Sequence, residues 1–365
     1  MDVLMLSGEL GAGGAPRVIY QVAKHLPADI DKTVCYLGGR DDLTGRFERA
    51  DIPVVRLSDD PYSIASVRRF HRLLREYSPD IVHTHMVIGG LVGRPLASFY
   101  GIPAIHTVHT NYRMRPLIAR TLDVVSAPFG QCAVCVSDSV ERSLPAYYAS
   151  ETTVIHNCID VEEVLQEGIS EWEALDWTAD LDPAAPVVAN IARYDPKKRR
   201  ADIVEGFDRV VDDHPEAQLV LTGRRGGRHQ SALAELARSL GIADNVFFVG
   251  FVENPQTVYH HADLVVFGSE SEGFSIGLLE AMAHSKPIIA TDIPAFVEAL
   301  GEDYPGLVPV RSPKMLGALI AETLDSPWSQ ENLVEIISRR IKPFTGTTAA
   351  KEYAEIYRQW AKAGG

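Results

Sequence analysis

Short apolar runs recur along the whole chain and alternate with stretches of helical periodicity. This alternation restricts the fold more than any other feature of the sequence. The runs fall into two sets. The first reads as strands at 2–7, 33–37, 53–56, 80–84, 103–108, 132–137 and 152–156. The second reads as strands at 186–192, 218–222, 245–249, 264–268, 287–291 and 306–310. Between them lie patterns such as PRVIYQVAKHL, SIASVRRFHRLLREY and RADIVEGFDRVVDDH, with apolar residues on one helical face. Strands of this kind, each followed by a helix, form parallel sheets covered on both sides. Two sets predict an α/β chain with two doubly wound, Rossmann-like parallel-sheet domains, and 365 residues suffice for both.

An acidic stretch ending in a Pro/Ala cluster, 162–186, reads as the link between the domains and the entry to the second. The expected division is 1–165 and 166–346. A last amphipathic helix over 347–363 carries Tyr353, Ile356, Tyr357 and Trp360 on one side. In open α/β sheets ligands gather at the carboxyl ends of the strands, so two such domains place a site in the cleft where they face each other.

Composition removes several function classes. A net charge of −14 leaves no excess of Lys and Arg to neutralise phosphates, which argues against a general nucleic-acid binder. Four cysteines fit a reducing compartment. Cys132 and Cys135 form a C-x-x-C, but on an apolar strand, where residues three apart point to opposite faces, so they read as core. MDVLMLSG reads as a strand and a glycine loop, not a signal peptide, and no apolar run approaches the ~20 residues of a spanning helix. A cytoplasmic protein is expected.

The chemistry concentrates at 269–291, SESEGFSIGLLEAMAHSKPIIAT. A strand ends just before it. A helix begins near Ser275 or Ile276, and a second strand, PIIAT, follows. A helix start beside a strand end offers free backbone N–H groups and a positive dipole end, which bind phosphate. Glu272 and Glu280 bracket seven residues. On one continuous helix they would stand ~12 Å apart, and a loop before the helix brings them toward one ligand. Carboxylates in these places suit sugar and ribose hydroxyls, although glutamates on a solvated helix surface are the plain alternative.

This E-x7-E segment closely resembles the donor-site signature of retaining GT-B glycosyltransferases of family 4, the glycosyl transferases group 1. The resemblance runs over nearly the whole chain. It implies the GT-B fold, two Rossmann-like domains with a last helix crossing back onto the first. It also implies a hexosyltransferase-type enzyme using a nucleotide diphosphate sugar, UDP- or GDP-linked, with retention of anomeric configuration. Within it Glu272 would contact the transferred sugar and Glu280 the nucleotide ribose, while Gly273, Phe274 and Ser275 present backbone N–H groups to sugar and phosphate.

The other motifs fit the same pattern. VVANIARYDPKKRRADIV carries Arg193 and Lys198 at the interval of the family's G-R-x4-K-G motif, whose cations grip the donor diphosphate. Fixed cations are needed there, because breaking the sugar–phosphate bond leaves negative charge on the diphosphate. Lys198 matches by register. Lys197 is its neighbour, and a solvated basic helix start is the alternative. LVLTGRRGG (219–227) supplies Gly223, with Arg224 and Arg225 as possible added charge, and the backbone of Phe251 and Val252 resembles the nucleobase-binding segment. TDIPAFVE (291–298) stands where the family commonly has G-G-x-x-E, so Asp292 and Glu298 are not assigned.

The first strand runs into GELGAGGAPRVIY, whose Gly13 and Gly14 correspond to the family's GGA-x-R over the donor phosphate; a tight strand-to-helix turn is the alternative. The spacing is not the dinucleotide fingerprint G-x-G-x-x-G. The fourth and fifth strands end in DIVHTH and AIHTVHTNY. His109 matches the family's T-x-H position, which contacts the transferred sugar. His85 is a weaker candidate, and His83 and His106 read as packing residues. The H-x3-H spacing of helical zinc sites is missing, so no metal and no cofactor beyond the donor is expected.

The expected acceptor is a glycan or a lipid-linked group, bound by the first domain, in envelope or polysaccharide synthesis. SVRRFHRLLREY and NYRMRPLIAR mix arginine with apolar residues, a pattern compatible with an anionic membrane surface. The first fits an ordinary solvated helix as well; the second follows His109 directly. Two other readings remain: another GT-B enzyme such as a nucleotide-sugar epimerase, and a catalytically silent binding subunit.

Overall fold

The computed structural model of the chain describes residues 1–167, 170–224 and 227–363. It divides into two compact units, 1–159 together with 344–365, and 160–343. The first holds β1 (Asp2–Ser7), β2 (Asp31–Tyr36), β3 (Val54–Arg56), β4 (Ile81–His85), β5 (Ala104–Val108), β6 (Cys132–Cys135) and β7 (Glu151–Val154). The second holds β8 (Val187–Ile191), β9 (Gln218–Thr222), β10 (Val246–Gly250), β11 (Leu264–Phe267), β12 (Ile288–Thr291) and β13 (Leu307–Val308).

Each unit is one parallel sheet, in the order β3-β2-β1-β4-β5-β6-β7 and β10-β9-β8-β11-β12-β13. Both are doubly wound. In each, the strand order reverses between the first strand and the fourth, at β1/β4 and at β8/β11. The loops leaving those two strands diverge to opposite faces, so a crevice opens at their carboxyl ends. The strands read as unbroken apolar runs because helices cover both faces: β9 and β11 are buried at every position.

The core of the first unit includes Leu4, Leu6, Phe70, Leu74 and Val82. That of the second includes Val188, Phe207, Leu219, Leu264 and Ile289. In the second unit the helices Arg200–Asp213 and Pro313–Asp325 cross backbone to backbone. A β-carbon on Gly317 would lie 2.0 Å from the Gly206 carbonyl oxygen, so the crossing requires glycine. Cys132 and Cys135 are buried free thiols, pushed up to about 12 by desolvation.

Two boundaries differ from the sequence-based expectation, 159 for 165 and 343 for 346. The first unit ends at 159, not near 165, because the helix Val161–Glu167 packs on the helices Gln256–His261 and Ile276–Ala283 of the second. The stretch 162–186 is correspondingly no open linker. Its described residues carry that helix and the 3-10 turns Trp172–Ala174 and Asp176–Thr178. Trp172 packs edge-on against Trp177 and His261. The last helix, Gly346–Ala363, packs on the helix Gly14–His25 of the first unit, burying Tyr353 and Tyr357. No helix among the described residues is long and apolar enough to cross a membrane.

Candidate active site

In the second unit the polar side chains collect at the switch between β8 and β11. Past β8 the chain turns through the 3-10 helix Pro196–Lys198, capped by the Asp195 carboxylate, which accepts from the Lys197 amide at 3.0 Å. Past β11 the chain passes Ser269 and Glu272 before the helix Ile276–Ala283 begins. The two loops are tied by the Glu270 amide donating to the Lys197 carbonyl at 2.9 Å. Lys198 Nζ then reaches Glu272 Oε1 at 2.5 Å, and Ser269 Oγ donates to the same oxygen at 2.7 Å. The ion pair to Glu272 is thus made by Lys198, the residue chosen by register. Arg193 stands exposed just past β8.

The helix Ile276–Ala283 starts from Ser275, whose hydroxyl accepts from the Leu278 amide at 3.3 Å. All its residues except Gly277 are buried, so the sheet and its neighbours fix where its amino end lies. Phe274 is buried beside it. Glu280, on this helix, is no surface glutamate. It is buried and accepts from Gln256 Nε2 at 2.9 Å, and Gln256 Oε1 lies 3.1 Å from His284 Nε2. Burial lowers the His284 pKa to about 4, which keeps its ring neutral.

The floor is built by Arg200 and Asn190. Buried Arg200 donates to Asn190 Oδ1 at 2.8 Å, to the Ala192 carbonyl at 2.6 Å and to the Thr222 carbonyl, and lies over the Tyr194 ring. Asn190 Nδ2 donates to the Val266 carbonyl at 2.8 Å. These bonds lock the ends of β8, β9 and β11 together. Arg200 looked like one more member of a solvated basic helix start; it is a structural clamp, with burial lowering its pKa to about 10. Arg199 caps the same helix with positive φ and pairs with Asp202 at 2.6 Å.

Gly223 follows β9 with φ +150°, and a β-carbon there would lie 2.1 Å from the Ala192 carbonyl oxygen, so only glycine fits. Its amide donates to the Gly250 carbonyl at 2.7 Å, which brings the β9 and β10 ends together. Phe251, just past β10, is 52% exposed, with the Arg224 guanidinium 4.8 Å from its ring centre and Val252 half-buried beyond it. An exposed ring held under a cation is a stacking platform for a planar group. Arg225 lies outside the described residues. Asp292 is exposed, and the helix Pro294–Leu300 follows it.

In the first unit, Gly13 caps the helix Gly14–His25, and the Gly8–Gly14 loop leaves β1 at its switch point. The loop is braced by the Glu9–Arg40 ion pair at 2.5 Å and by the Ala12 amide donating to Asp42 at 2.8 Å. His85 ends β4 and His109 follows β5, with His85 Nδ1 3.1 Å from His109 Nε2. His85 Nε2 and His109 Nδ1 are buried and have no partner among the described residues. Desolvation lowers the His109 pKa to about 3, with Arg115 adding to it, and lowers that of His85 well below the ordinary range. Two neutral rings sharing one N–H leave one N–H and one bare nitrogen at the outer atoms. The pair therefore offers one donor and one acceptor, the complement of a hydroxyl.

His83 and His106 are buried and bonded internally. His83 joins Tyr357 at 2.6 Å and Thr107 at 2.8 Å, and His106 joins Thr84 at 2.9 Å. Among the described residues, no cluster of three His, Cys, Asp or Glu side chains has the shape of a metal site.

The glycosyltransferase family 4 model matches residues 12–163, and the glycosyl transferases group 1 model matches 173–340. The chain belongs to the group 1 glycosyltransferases. It is 24% identical to the alpha-monoglucosyldiacylglycerol synthase of Streptococcus pneumoniae, covering 87% of this chain and 76% of that one. It is 26% identical to the D-inositol 3-phosphate glycosyltransferase of Nocardia farcinica, covering 84% and 72%. Among solved structures, Anabaena HepE in complex with UDP and glucose superposes with a TM-score of 0.85 at 19% identity, over 98% of this chain and all of that one. The sucrose-phosphate synthase of Thermosynechococcus elongatus gives 0.80 at 20% identity over the full length of both. The fold is GT-B.

Gln256, His284, Ser269, Asn190 and Arg200 escaped the sequence reading. Asn190, Arg200, Ser269 and His284 lie inside the two motif-bearing segments but at positions the motifs do not specify, and Gln256 lies outside both. Only the wound sheet brings their segments to the strand ends beside Lys198 and Glu272.

Proposed function

We propose that the protein moves a sugar from a UDP- or GDP-linked donor to a glycan or lipid-linked acceptor, with retention of configuration. The observation that carries this reading is the Lys198–Glu272 pair, set at the β8/β11 switch beside a buried helix amino end. A cation, an acid and a helix amino end at the carboxyl ends of the strands suit a diphosphate joined to a sugar.

In this reading Arg193 and Lys198 hold the diphosphate and stabilise the charge that develops as the glycosidic bond breaks. The Gly13–Gly14 and Gly223 backbones and the amides at Gly273, Phe274 and Ser275 approach the phosphates and sugar. Glu280, braced by Gln256, takes the ribose hydroxyls, and the Phe251–Val252 segment receives the base. Glu272 and His109 orient the transferred sugar. The leaving phosphate oxygen accepts the acceptor's proton on the face it departs from, so no protein nucleophile is required. The fixed cations and helix end supply the electrostatics, and transfer is expected to persist in the presence of a chelator. The relative from S. pneumoniae is named for a glucosyl lipid product, which supports a lipid acceptor and a place at the inner membrane face.

The test is a thermal-shift panel of UDP and GDP followed by transfer from the preferred nucleotide's sugars, in wild type and Lys198→Ala. A nucleotide that raises Tm in wild type and much less in the variant supports the reading. Consumption of the nucleotide sugar without any acceptor would point to an epimerase instead. Nucleotide binding with no turnover would point to a binding subunit.

A further inference from the structure

The helix Leu117–Ser126 is polar inside and apolar outside, the reverse of a helix on a water-soluble domain. Its inward residues are Asp123 and Ser126, both essentially unexposed. Asp123 accepts from Arg94 Nη2 at 2.6 Å, from Arg115 Nη1 at 2.5 Å and from the Tyr148 hydroxyl at 2.7 Å. Ser126 Oγ accepts from Arg94 at 2.5 Å. Its outward residues are Leu117, Ile118 and Val125, exposed by 74%, 76% and 62%, with Leu122 and, just past the helix, Phe129 also exposed.

This inversion is built in. Turning the helix to bury its apolar side would pull Asp123 from two guanidiniums and leave them uncompensated beneath the surface. The apolar side is therefore held outward, and a contiguous exposed apolar patch marks a surface that meets something other than water.

Charge identifies the partner. Between Met86 and Gln131 the chain has a single acid, Asp123, which is buried and neutralised. Arg113 is exposed at the entry to the helix and Arg120 is half-buried on it. The helix Met86–Phe99 packs on this helix and also on Ile64–Tyr77, which adds exposed Arg68, Arg72 and Arg75 against one acid, Glu76. In a chain of net charge −14 this is a local reversal of sign. Exposed apolar side chains in an arginine-rich, acid-poor part of the unit match acyl chains beneath anionic headgroups. We infer that the outward face of Leu117–Ser126 docks on an anionic membrane surface. This rests on the proposed lipid-side function and assigns it to one helix.

The experiment is flotation of the full chain with vesicles of equal parts phosphatidylcholine and phosphatidylglycerol, and with phosphatidylcholine alone, in wild type and Ile118→Glu/Val125→Glu. Both positions are exposed, so the variant should fold. Wild type is expected to float with the anionic vesicles, less so as salt rises, and the variant to bind at least ~10-fold more weakly. Equal flotation of the two proteins, or none by wild type at low salt, overturns the assignment. So does a wild-type dimer that the variant dissolves to monomer, since a second copy would then cover the face. The UDP-induced Tm shift should be the same in both proteins. Its absence from wild type with vesicle binding intact would refute the UDP-donor reading while sustaining the membrane face.

Discussion

The two units share a strand order but arm their switch points differently. In the second unit the polar groups at the strand ends are ionic: Arg193, Lys198 paired with Glu272, and Glu280 braced by Gln256. In the first, the Glu9–Arg40 pair braces the loop after β1, but the β4 and β5 ends carry imidazoles held neutral by burial, His85 against His109, and the buried ions lie away from the strand ends in the Arg94–Asp123–Arg115 cluster under Leu117–Ser126. The same topology thus supplies fixed charge on one side and hydroxyl-sized hydrogen-bonding groups on the other. Fixed charge suits a diphosphate, whose charge is permanent. Neutral donors and acceptors suit hydroxyls, which would gain little from an ion.

Acidification should separate the units most. His83 and His109 fall from the ordinary 6.5 to about 3 in the folded chain. Above pH 6.5 both states hold them neutral and they contribute nothing to the pH dependence. Between 6.5 and 3 the unfolded chain binds protons that the folded chain refuses, so stability falls as pH falls. At ~1.4 kcal/mol per pH unit for each ring, these two cost about 4 kcal/mol by pH 5, and His85 and His106 act in the same direction. Hydrogen exchange at pH 5 should show β4 and β5 opening before β8 and β9. Equal loss in both units would break the contrast, because the second unit holds fewer such histidines, His260 and His284.

Asp123→Ala tests whether the first unit's buried ions are structural. It leaves two guanidiniums unpaired and should cost ~3–5 kcal/mol in denaturant unfolding, with the second unit's nucleotide response retained in whatever folds. A cost below ~1 kcal/mol would show that the cluster is not a clamp.

Lys198→Ala tests whether the second unit's ions are functional. The expected loss is ~100- to 1,000-fold in kcat/KM, with near-unchanged Tm. Because Lys198 and Glu272 share one ion pair, the double alanine variant should lose much less than the product of the single losses. Full additivity would mean that they act separately.

The smallest effect is at Ser275. Ser275→Ala removes the cap of the helix Ile276–Ala283 and should lower stability by ~1 kcal/mol. A larger fall in kcat/KM than in stability would sharpen the contrast by placing the helix end at the phosphates.

Much of this was legible in the chain. Short apolar runs between helical patterns marked the thirteen strands among the described residues to within two residues at their ends, because a strand buried on both faces must be apolar throughout. The last strand, Leu307–Val308, came out shorter than the apolar run that marks it. Glu272 and Glu280 stood out because they bracket a helix start beside a strand end within one segment, and Lys198 was singled out by the resemblance to the family's G-R-x4-K-G motif. The boundary at 159 was not, since the helix Val161–Glu167 is assigned by what it packs on.

The sequence by itself determined two wound sheets, where each strand ends, and which residue types crowd those ends, since all of these follow from short-range periodicity and turn chemistry. Tertiary structure alone decided that Lys198, not Lys197, meets Glu272, that Arg200 is a clamp and that Gln256 braces Glu280. It also decided that Leu117–Ser126 faces its apolar side outward. The physical reason is range: Lys198 and Glu272 stand 74 positions apart and Gln256 and Glu280 stand 24 apart, and a helix pattern records an apolar face without recording which way that face is turned.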